Sequence, residues 1–393
     1  MWFHFCTVNH NPIGRSTLKD MADWFEAGLQ DLGHKVTFSE TSVESEAINL
    51  FWENFLPGVG AQIKATGIRY GIIATEIPDG HAFNWRTEPQ WINRYQAFSE
   101  VANGADFIWT MVESTVPYYS QFCPTAFVEL GFSERLIPPY ILTKPEIDFS
   151  FFGLKTPYRL KVIDELRKYA RVEWPEKFLT VEEVSVLISK TKVGLNFKQS
   201  EVWPIPSPTR LGRLMMAKRD VASERTKVAT RQGELIGFAP LGQSFSEFAL
   251  SRLNSDWKVR AENVFENYRA LMCMRDIMES ALERTVSNIK TQISNRQTIS
   301  LVVVQPPVLI ETYRGWNIVE YSGKYYGLLR GTGDVDVRIG IDRLKKICGM
   351  NSVHCADTKV DLLGIILNGG HDRLRFKVKG YIWNAIRRTL LKH

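Results

Sequence analysis

The chain has 393 residues, of which 44% are hydrophobic and 23% charged, which is typical of a globular protein of two or three domains. Its formal net charge of +6 arises from 49 basic and 43 acidic residues, so the balance permits anionic ligands and gives no reason to expect nucleic acid as a partner. Five scattered cysteines without a C-x-x-C pair argue against a disulfide framework or a metal site, and the absence of a signal-peptide pattern or a run long enough to span a bilayer predicts a soluble, cytoplasmic protein.

The first third of the chain alternates between strand and helix patterns. Residues 2–9 form an apolar, aromatic run that predicts a strand, and residues 18–33 carry apolar side chains at helical spacing and end on Gly33. Further strands are predicted at 34–40, 68–76 and 105–112, with a helix at 91–104. Strands that alternate with helices of this length favour a parallel, doubly wound sheet.

The alternation stops at residues 133–145, where three prolines indicate an interdomain linker, and then begins again. Residues 148–153 predict a strand, Thr156 a helix N-cap with Pro157 at the first helical position, and Thr180 with Glu183 a capping box. The remaining predicted elements are strands near 171–174 and over 193–197, a helix over 208–218, strands over 219–224 and 234–240, and helices over 244–253 and 257–289.

The composition changes again after about residue 300, where β-forming residues punctuated by glycine predict a small antiparallel module. Residues 375–393 are basic and aromatic. The predicted fold class is therefore α/β, with two Rossmann-like, doubly wound parallel-sheet domains that face a cleft and a C-terminal β-rich module. The predicted domain boundaries are 1–143, 144–295 and 296–393, the last including a basic terminal helix.

Polar and charged residues in the second half follow the predicted strands. In an open parallel sheet, ligands bind beyond the carboxyl ends of the strands, where helix N-termini favour anions. Arginines there would meet phosphates, and acids or amides would meet ribose hydroxyls; the alternative is that the hydroxyl residues only cap helices and the arginines are solvated. We favour the ligand site, for which the candidate nucleotide-binding residues are Gly153, Arg159, Asn196, Ser207, Arg210, Arg213 and Glu224.

The order of these segments resembles the donor-binding half of GT-B-fold glycosyltransferases. The stretches that carry the resemblance are "DFSFFGLKTPYRLKVIDEL", "ISKTKVGLNF", "TRLGRLMMAKRDVASE" and "GFAP". "GLQDLGHKVTF", "ADFIWT" and "AFVELGF" in the first half are similar to the acceptor domain, and the CgeB-like and capsule or O-antigen types look closest. The resemblance covers residues 1–290. It implies a metal-independent transferase without a cofactor, with a nucleotide-diphosphate sugar as donor and a glycan, lipid-linked or protein acceptor.

One position departs from the family pattern. Many retaining members carry a glutamate on the helix before the "VVAS"-type strand, and here Gly212 stands in its place. Glu224 or Glu201 would have to substitute for that acid, so the anomeric outcome stays open.

Inverting transfer needs a base that deprotonates the acceptor. The candidates follow strands of the first half: His10 in "VNHNPIGRST", and Glu76, Asp79 and His81 in "ATEIPDGHAFNW". The alternative for "PDGH" is an ordinary turn, with aspartate and glycine there for backbone reasons.

Three further patterns have a structural alternative that we favour. Asp334 and Asp336 form a D-x-D pair, which hairpin geometry explains better than a metal. Tyr321, Tyr325 and neighbouring aromatics fit a hairpin core better than a sugar platform. The terminal helix could lie on the anionic inner face of a membrane, although packing against the protein body is preferred. The rival functions are a nucleotide-sugar epimerase of the same fold and a non-catalytic binding or scaffold protein.

Overall fold

A computed structural model describes residues 1–8, 12–55, 58–80, 82–84, 89–142, 144–201, 203–287, 297–301, 308–313, 316–321, 324–329, 341–348 and 353–369. The chain forms two compact units. The first comprises residues 1–54, 58–77 and 98–301, and the second comprises residues 55–57, 78–97 and 302–393. Both parallel sheets lie in the first unit.

The first parallel sheet has six strands in the order β2-β1-β4-β5-β8-β9. This part of the chain also contains β3, β6 and β7, which are not members of this sheet. Its strands are β1 Trp2–Cys6, β2 Lys35–Ser39, β3 Ser42–Glu44, β4 Ile48–Trp52, β5 Arg69–Ala74, β6 Pro78–Asp79, β7 Ala82–Phe83, β8 Phe107–Thr110 and β9 Thr125–Phe127. The helices are α1 Pro12–Asp31, α2 Val59–Thr66, α3 Pro89–Ala102 and α4 Val116–Tyr119, with 3₁₀ turns at Glu113–Thr115 and Glu134–Leu136.

Strand β4 lies in the middle of this sheet and was not predicted. All five of its residues are buried, because parallel strands are covered on both faces and therefore lack the alternation of a half-exposed strand. The predicted strands at β1, β2, β5 and β8 are confirmed, and the helix that ends near Gly33 begins earlier than expected, at Pro12.

The second parallel sheet has four strands in the order β11-β10-β12-β13. Its strands are β10 Ile147–Ser150, β11 Val172–Glu173, β12 Thr191–Asn196 and β13 Asp220–Ser223. The helices of this half are α5 Pro157–Leu166, α6 Val181–Ser189, α7 Pro208–Met216, α8 Arg231–Ile236, α9 Phe245–Asn254, α10 Trp257–Leu271 and α11 Met274–Thr285.

Local capping signals in this half are confirmed. The Arg159 amide donates to the Thr156 hydroxyl at the start of α5, and Pro157 follows as the first helical residue. At the start of α6, the amides of Thr180 and Glu183 donate to each other's side chains, which is the predicted capping box.

Two predicted elements of the second half are wrong. The predicted strand over 234–240 is instead the end of α8 and a loop, because the Thr230 hydroxyl accepts the Gly233 amide and starts a short helix that stops at Gly237 (φ 74°). The predicted long helix over 257–289 is broken at Met272 and Cys273. Its first part, α10, packs on β13 and α7, whereas its second part, α11, packs on α1 of the first half.

The two halves share one hydrophobic core. Buried Phe25 and Trp109 of the first half belong to the same cluster as Leu214, Met215 and Tyr268 of the second half. The Gln232 side chain and the Tyr268 hydroxyl both donate to the Leu130 carbonyl, at 2.7 Å each. These contacts fix the strand ends of the first sheet beside the helices of the second.

The C-terminal part contains an antiparallel sheet in the order β15-β16-β17-β18, as predicted. Its elements are β15 Val308–Tyr313, β16 Trp316–Tyr321, β17 Lys324–Leu329, α12 Ile341–Cys348, β18 Val353–Ala356 and α13 Lys359–Gly369. The two helices were not predicted. Before this sheet, β14 Thr298–Ser300 pairs with β3 in the first compact unit. Asp334, Asp336 and the terminal helix lie outside the described residues.

The parallel sheets and the antiparallel module confirm the predicted fold class. The three domain boundaries stay predictions. Among the helices in the described ranges, none is both long enough and apolar enough to cross a membrane.

Candidate functional site

The chain turns sharply after β10, and Gly153 lies at this turn. Its φ of 141° belongs to a region that side-chain-bearing residues rarely adopt. The Trp174 indole donates to the Gly153 carbonyl at 3.1 Å and fixes the turn against the end of β11. A β-carbon at this position would lie 2.7 Å from Nη2 of Arg210 and 3.6 Å from Nη1 of Arg159, so two guanidinium groups converge on the glycine.

Arg210, in the first turn of α7, is 5% exposed. Its Nε and Nη2 donate to the Phe152 carbonyl at 3.0 and 2.8 Å, and its Nη1 donates to Asn196 Oδ1 at 2.9 Å. The guanidinium carbon lies 4.3 Å from the centre of the Phe151 ring. These contacts use three of the five N–H groups and hold the plane of the guanidinium rigidly.

Arg159, in the first turn of α5, is 6% exposed. Its Nε donates to the Lys198 carbonyl at 3.1 Å, and its Nη1 donates to the Leu154 carbonyl at 2.9 Å. Its guanidinium also lies over the Phe151 ring, at 5.0 Å from the centre. Both arginines therefore contact one buried aromatic ring and are held by backbone carbonyls.

Neither guanidinium forms an ion pair with a carboxylate of the described part of the chain. Burial lowers the pKa of Arg159 to about 10. Burial and the positive charge of Arg159 lower the pKa of Arg210 well below its usual range, and the negative charge of Asp20 opposes this shift. Two neighbouring buried cations without a hydrogen-bonded carboxylate are costly, and a bound anion would reduce that cost.

Asn196 and Ser207 are two further polar residues close to Arg210. Asn196, at the carboxyl end of β12, is 2% exposed; its amide nitrogen donates to the Ser223 hydroxyl at 2.9 Å and its Oδ1 accepts from Arg210. Ser207 occupies the N-cap position of α7, but its hydroxyl makes no capping hydrogen bond and lies 3.5 Å from the Thr209 hydroxyl. The alternative interpretation, that the Ser207 hydroxyl only caps the helix, therefore lacks its hydrogen bond.

Glu224 follows β13 and is connected to the arginines through Lys198. Its Oε1 accepts from the Tyr158 hydroxyl at 2.5 Å and its Oε2 from the Lys198 amide at 2.9 Å, and the Lys198 ammonium lies 3.0 Å from Oε1. The Lys198 carbonyl accepts from Arg159, so Lys198 links the Glu224 carboxylate to this arginine through hydrogen bonds.

A cavity of about 330 Å³ lies beside Arg210; Arg159, Asn196 and Glu224 are not among the residues that line it. Its wall combines Gly153 and the polar residues Ser207 and Arg210 with an apolar rim at Leu154 and Phe178, which are 46% and 47% exposed. Across the rim, the Lys155 ammonium pairs with Glu176 Oε1 at 2.5 Å. Asp20 of α1 also lines the cavity, so the first half contributes to it.

Arg213, by contrast, is not part of this group. Its guanidinium pairs with Asp20 and Asp23 of α1, both at 2.8 Å, and lies 4.4 Å from the centre of the Trp24 ring. These contacts join the two halves, and the structure gives Arg213 a bridging position.

The residue that departs from the family pattern, Gly212, packs against the same tryptophan. A β-carbon on Gly212 would lie 2.7 Å from Cζ2 of Trp24. The close approach of α7 to α1 therefore leaves no room for a glutamate at this position.

In the first half, Glu76 lies beside a carboxylate that sequence reasoning missed. Glu53 follows β4 and is 3% exposed; its Oε1 accepts from the amides of Thr75 and Glu76, the latter at 2.7 Å. Its Oε2 accepts from the Thr75 hydroxyl at 3.1 Å. Burial, together with the nearby Glu76, raises the pKa of Glu53 to about 8. The available signal was an acid directly after the apolar run of β4.

Of the other candidates in the first half, the structure describes only Asp79. Asp79 is exposed in the two-residue hairpin of β6 and β7, followed by Gly80 at φ 60°, and it belongs to the second compact unit. His10 and His81 lie outside the described residues. The catalytic roles of all four candidates stay predictions.

No protein-family model matches the sequence, and no curated protein matches it. Solved structures of glycosyltransferases are similar in architecture at low identity. TarM is 11% identical with a TM-score of 0.43 and covers 61% of this chain, which in turn spans 55% of TarM.

Two further similar structures are covered along their whole length. An alpha-glucosyltransferase in complex with UDP and a 13-mer DNA is 9% identical, covers 73% of this chain and 100% of its own, and has a TM-score of 0.44. The E. coli structure described as trehalose-6-phosphate bound with UDP-2-fluoro glucose is 8% identical, with 74% and 100% coverage and a TM-score of 0.47. Similarities at this level assign no activity to this chain.

Proposed function

We propose that this protein is a GT-B-type glycosyltransferase that moves a sugar from a nucleotide-diphosphate donor to a glycan, lipid-linked or protein acceptor. The observation that carries the proposal is the pair of buried guanidiniums of Arg159 and Arg210, which converge on Gly153 without a carboxylate partner among the described residues. A diphosphate supplies two adjacent negative charges, which match two adjacent buried cations.

The surroundings of the arginines fit the other parts of a nucleotide. The apolar rim at Leu154 and Phe178 offers a face for a base, and the Ser207 hydroxyl lies in the cavity wall within reach of polar groups such as ribose hydroxyls. Sugar transfer leaves a nucleoside diphosphate, and preorganised cations stabilise the charge that develops on it. In this proposal the arginines perform that role, and the chain needs no cofactor beyond its donor substrate.

The base that activates the acceptor is proposed to come from the first half. His10, Glu76, Asp79 and His81 are the candidates, and we expect His10→Ala to preserve nucleotide binding while it slows turnover. The resemblance of the quoted motifs to CgeB-like and capsule or O-antigen enzymes supports a surface polysaccharide or glycoconjugate as product. A cytoplasmic location, contact of the terminal helix with a membrane surface and the absence of a nucleic-acid partner remain parts of the proposal.

Calorimetric titration with a panel of nucleoside diphosphates tests the site. We expect the parent to bind at least one of them and Arg159→Ala to bind it about 10- to 100-fold more weakly, since a hydrogen bond to a charged group contributes about 1.5–3 kcal/mol. The matched control is Arg167→Ala at the C-cap of the same helix; the Arg167 side chain is 45% exposed, and this variant should bind like the parent. Equal affinities for all three proteins would refute the assignment.

The matching nucleotide sugars then separate the rival functions. A transferase releases nucleoside diphosphate slowly when water replaces the acceptor, whereas an epimerase converts the sugar while it stays attached to the nucleotide. A scaffold protein that has lost the site would bind neither.

A further inference from the structure

Two segments of the chain form the outer rim of the cavity beside Arg210. The first rim segment, residues 153–155, follows β10, and the second rim segment, residues 175–179, follows β11. Because β10 and β11 pair in parallel, both segments leave the sheet at the same edge. The other lining residues lie at the end of β10, on α1 and α6, and around the start of α7.

An ion pair joins the two rim segments. The Lys155 ammonium of the first segment lies 2.5 Å from Glu176 Oε1 of the second. The Glu176 side chain is 91% exposed and the Lys155 side chain 30% exposed, so the pair lies on the solvent side of the cavity. The hydrogen bond from Lys155 lowers the pKa of Glu176, which keeps this carboxylate ionised at neutral pH.

Lys155 is also held against the turn that meets Arg210. Its ammonium lies 5.2 Å from the centre of the Trp174 ring, and the Trp174 indole donates to the Gly153 carbonyl. Trp174 is 5% exposed and directly precedes the second rim segment. The Lys155 side chain therefore crosses from one rim segment to the other along a fixed aromatic surface, with which its charge also interacts favourably.

The pair at the rim and the cation behind it differ in strength. An exposed ion pair opens easily, because its charges are well solvated after they separate and because holding two long side chains together costs entropy. When this pair opens, Glu176 enters water and Lys155 still has the indole ring beside it. Arg210, in contrast, is 5% exposed and pairs with no carboxylate of the described residues.

We propose that the Lys155–Glu176 pair is a latch that closes the rim in both the free and the occupied protein and opens each time a nucleotide enters or leaves. The inference rests on the proposed function, because it takes the ligand of this cavity to be a nucleoside diphosphate. Such a latch slows association and dissociation alike. Its removal therefore raises both rate constants and leaves the affinity almost unchanged.

The opposite charges of the two residues separate a latch from electrostatic steering. By steering alone, Lys155→Gln would slow the association of an anion and Glu176→Gln would speed it. A latch predicts the same direction for both variants, because either substitution breaks the pair. The exchanged variant, Lys155→Glu with Glu176→Lys, restores a pair with reversed charges and should return both rate constants to those of the parent.

Stopped-flow tryptophan fluorescence measures the two rate constants for each nucleoside diphosphate that binds the parent in the calorimetric panel. We expect each single variant to raise both about two- to fivefold, which corresponds to the loss of one exposed ion pair, with the affinity within about twofold of the parent. The control is Lys177→Gln. Lys177 also lines the cavity, but it pairs with Glu183 of α6 at 2.6 Å and does not bridge the rim segments, so this variant should accelerate neither rate.

The latch is overturned if Lys155→Gln slows association while Glu176→Gln speeds it, or if both variants keep the rate constants of the parent. It is also overturned if the exchanged variant stays as fast as the single variants. A loss of affinity of about tenfold or more in Lys155→Gln would show instead that Lys155 holds the phosphates. If no nucleoside diphosphate binds the parent, the proposed function falls together with the latch, whereas binding with unaltered rates in the variants overturns the latch alone.

Discussion

The Nη2 atom of Arg210 lies 2.7 Å from the point that a β-carbon on Gly153 would occupy. A glycine at the end of one strand and an arginine on a helix 57 positions later therefore share a space that only one of them can fill. This relationship makes the glycine part of the site.

Gly153→Ala is expected to displace the Arg210 guanidinium and weaken nucleoside diphosphate binding about tenfold or more. It should also destabilise the protein by about 1–3 kcal/mol, because alanine rarely adopts φ of 141°. Calorimetry and urea unfolding measure the two effects. The matched control is Gly33→Ala, which has a similar backbone requirement (φ 77°) but no atom within 4 Å of the new β-carbon. Gly33→Ala should lose stability and keep the parent's affinity for nucleoside diphosphate. If Gly153→Ala also keeps that affinity, the position of the Arg210 guanidinium does not serve ligand binding.

Gly212→Ala is expected to destabilise the protein by about 1–3 kcal/mol, since its β-carbon would meet Cζ2 of Trp24 at 2.7 Å. Trp24→Phe removes that atom, so the double variant should lose less than the sum of the two single variants. Urea unfolding of the four proteins measures the coupling. Strict additivity would show that the two residues do not limit the approach of α7 to α1.

Arg213→Met is expected to leave Asp20 without its partner and Asp23 with Lys19 alone, and to cost about 3 kcal/mol of unfolding free energy. Arg167→Met, which breaks a surface pair with 45% and 66% exposed side chains, should change stability by less than about 1 kcal/mol. Nucleoside diphosphate affinity should stay within a fewfold of the parent. A large loss of nucleoside diphosphate affinity without a loss of stability would show that Arg213 contributes to phosphate binding.

Ionisation of Glu53 should lower the unfolding free energy of the protein as pH rises. Its pKa of about 8 in the fold exceeds the ordinary value of 4.5, so between these values the folded state binds more protons than the unfolded state. The unfolding free energy therefore falls as pH rises from about 4.5 to about 8, with a slope of at most about 1.4 kcal/mol per pH unit.

Glu53→Gln keeps an acceptor for the amides of Thr75 and Glu76 and cannot ionise. We expect it to flatten the fall in melting temperature between pH 5 and about 8, whereas Glu134→Gln, on an exposed carboxylate, should not. Melting curves across this range measure the difference. Parallel pH profiles for the parent and Glu53→Gln would mean that Glu53 is ionised in the fold at neutral pH.

The sequence by itself determined the features that depend on neighbouring residues. The strand–helix alternation, the Thr156–Pro157 helix start and the Thr180–Glu183 capping box follow from backbone and side-chain preferences within a few positions, and the structure has all of them. The rule that ligands lie beyond strand ends was also enough to select Gly153, Asn196 and Arg210, which the structure brings into contact.

Only the tertiary structure decided which charged residues act together. Arg210 and Arg213 are three positions apart on one helix, yet the first meets Phe152 and Asn196 and the second meets α1, whose acids lie about 190 positions earlier in the chain. Glu53 could likewise not be recognised from the sequence, because its burial depends on strands and helices that pack from distant parts of the chain. Helical spacing places side chains on a face, but the electrostatic environment of that face is set by what packs against it.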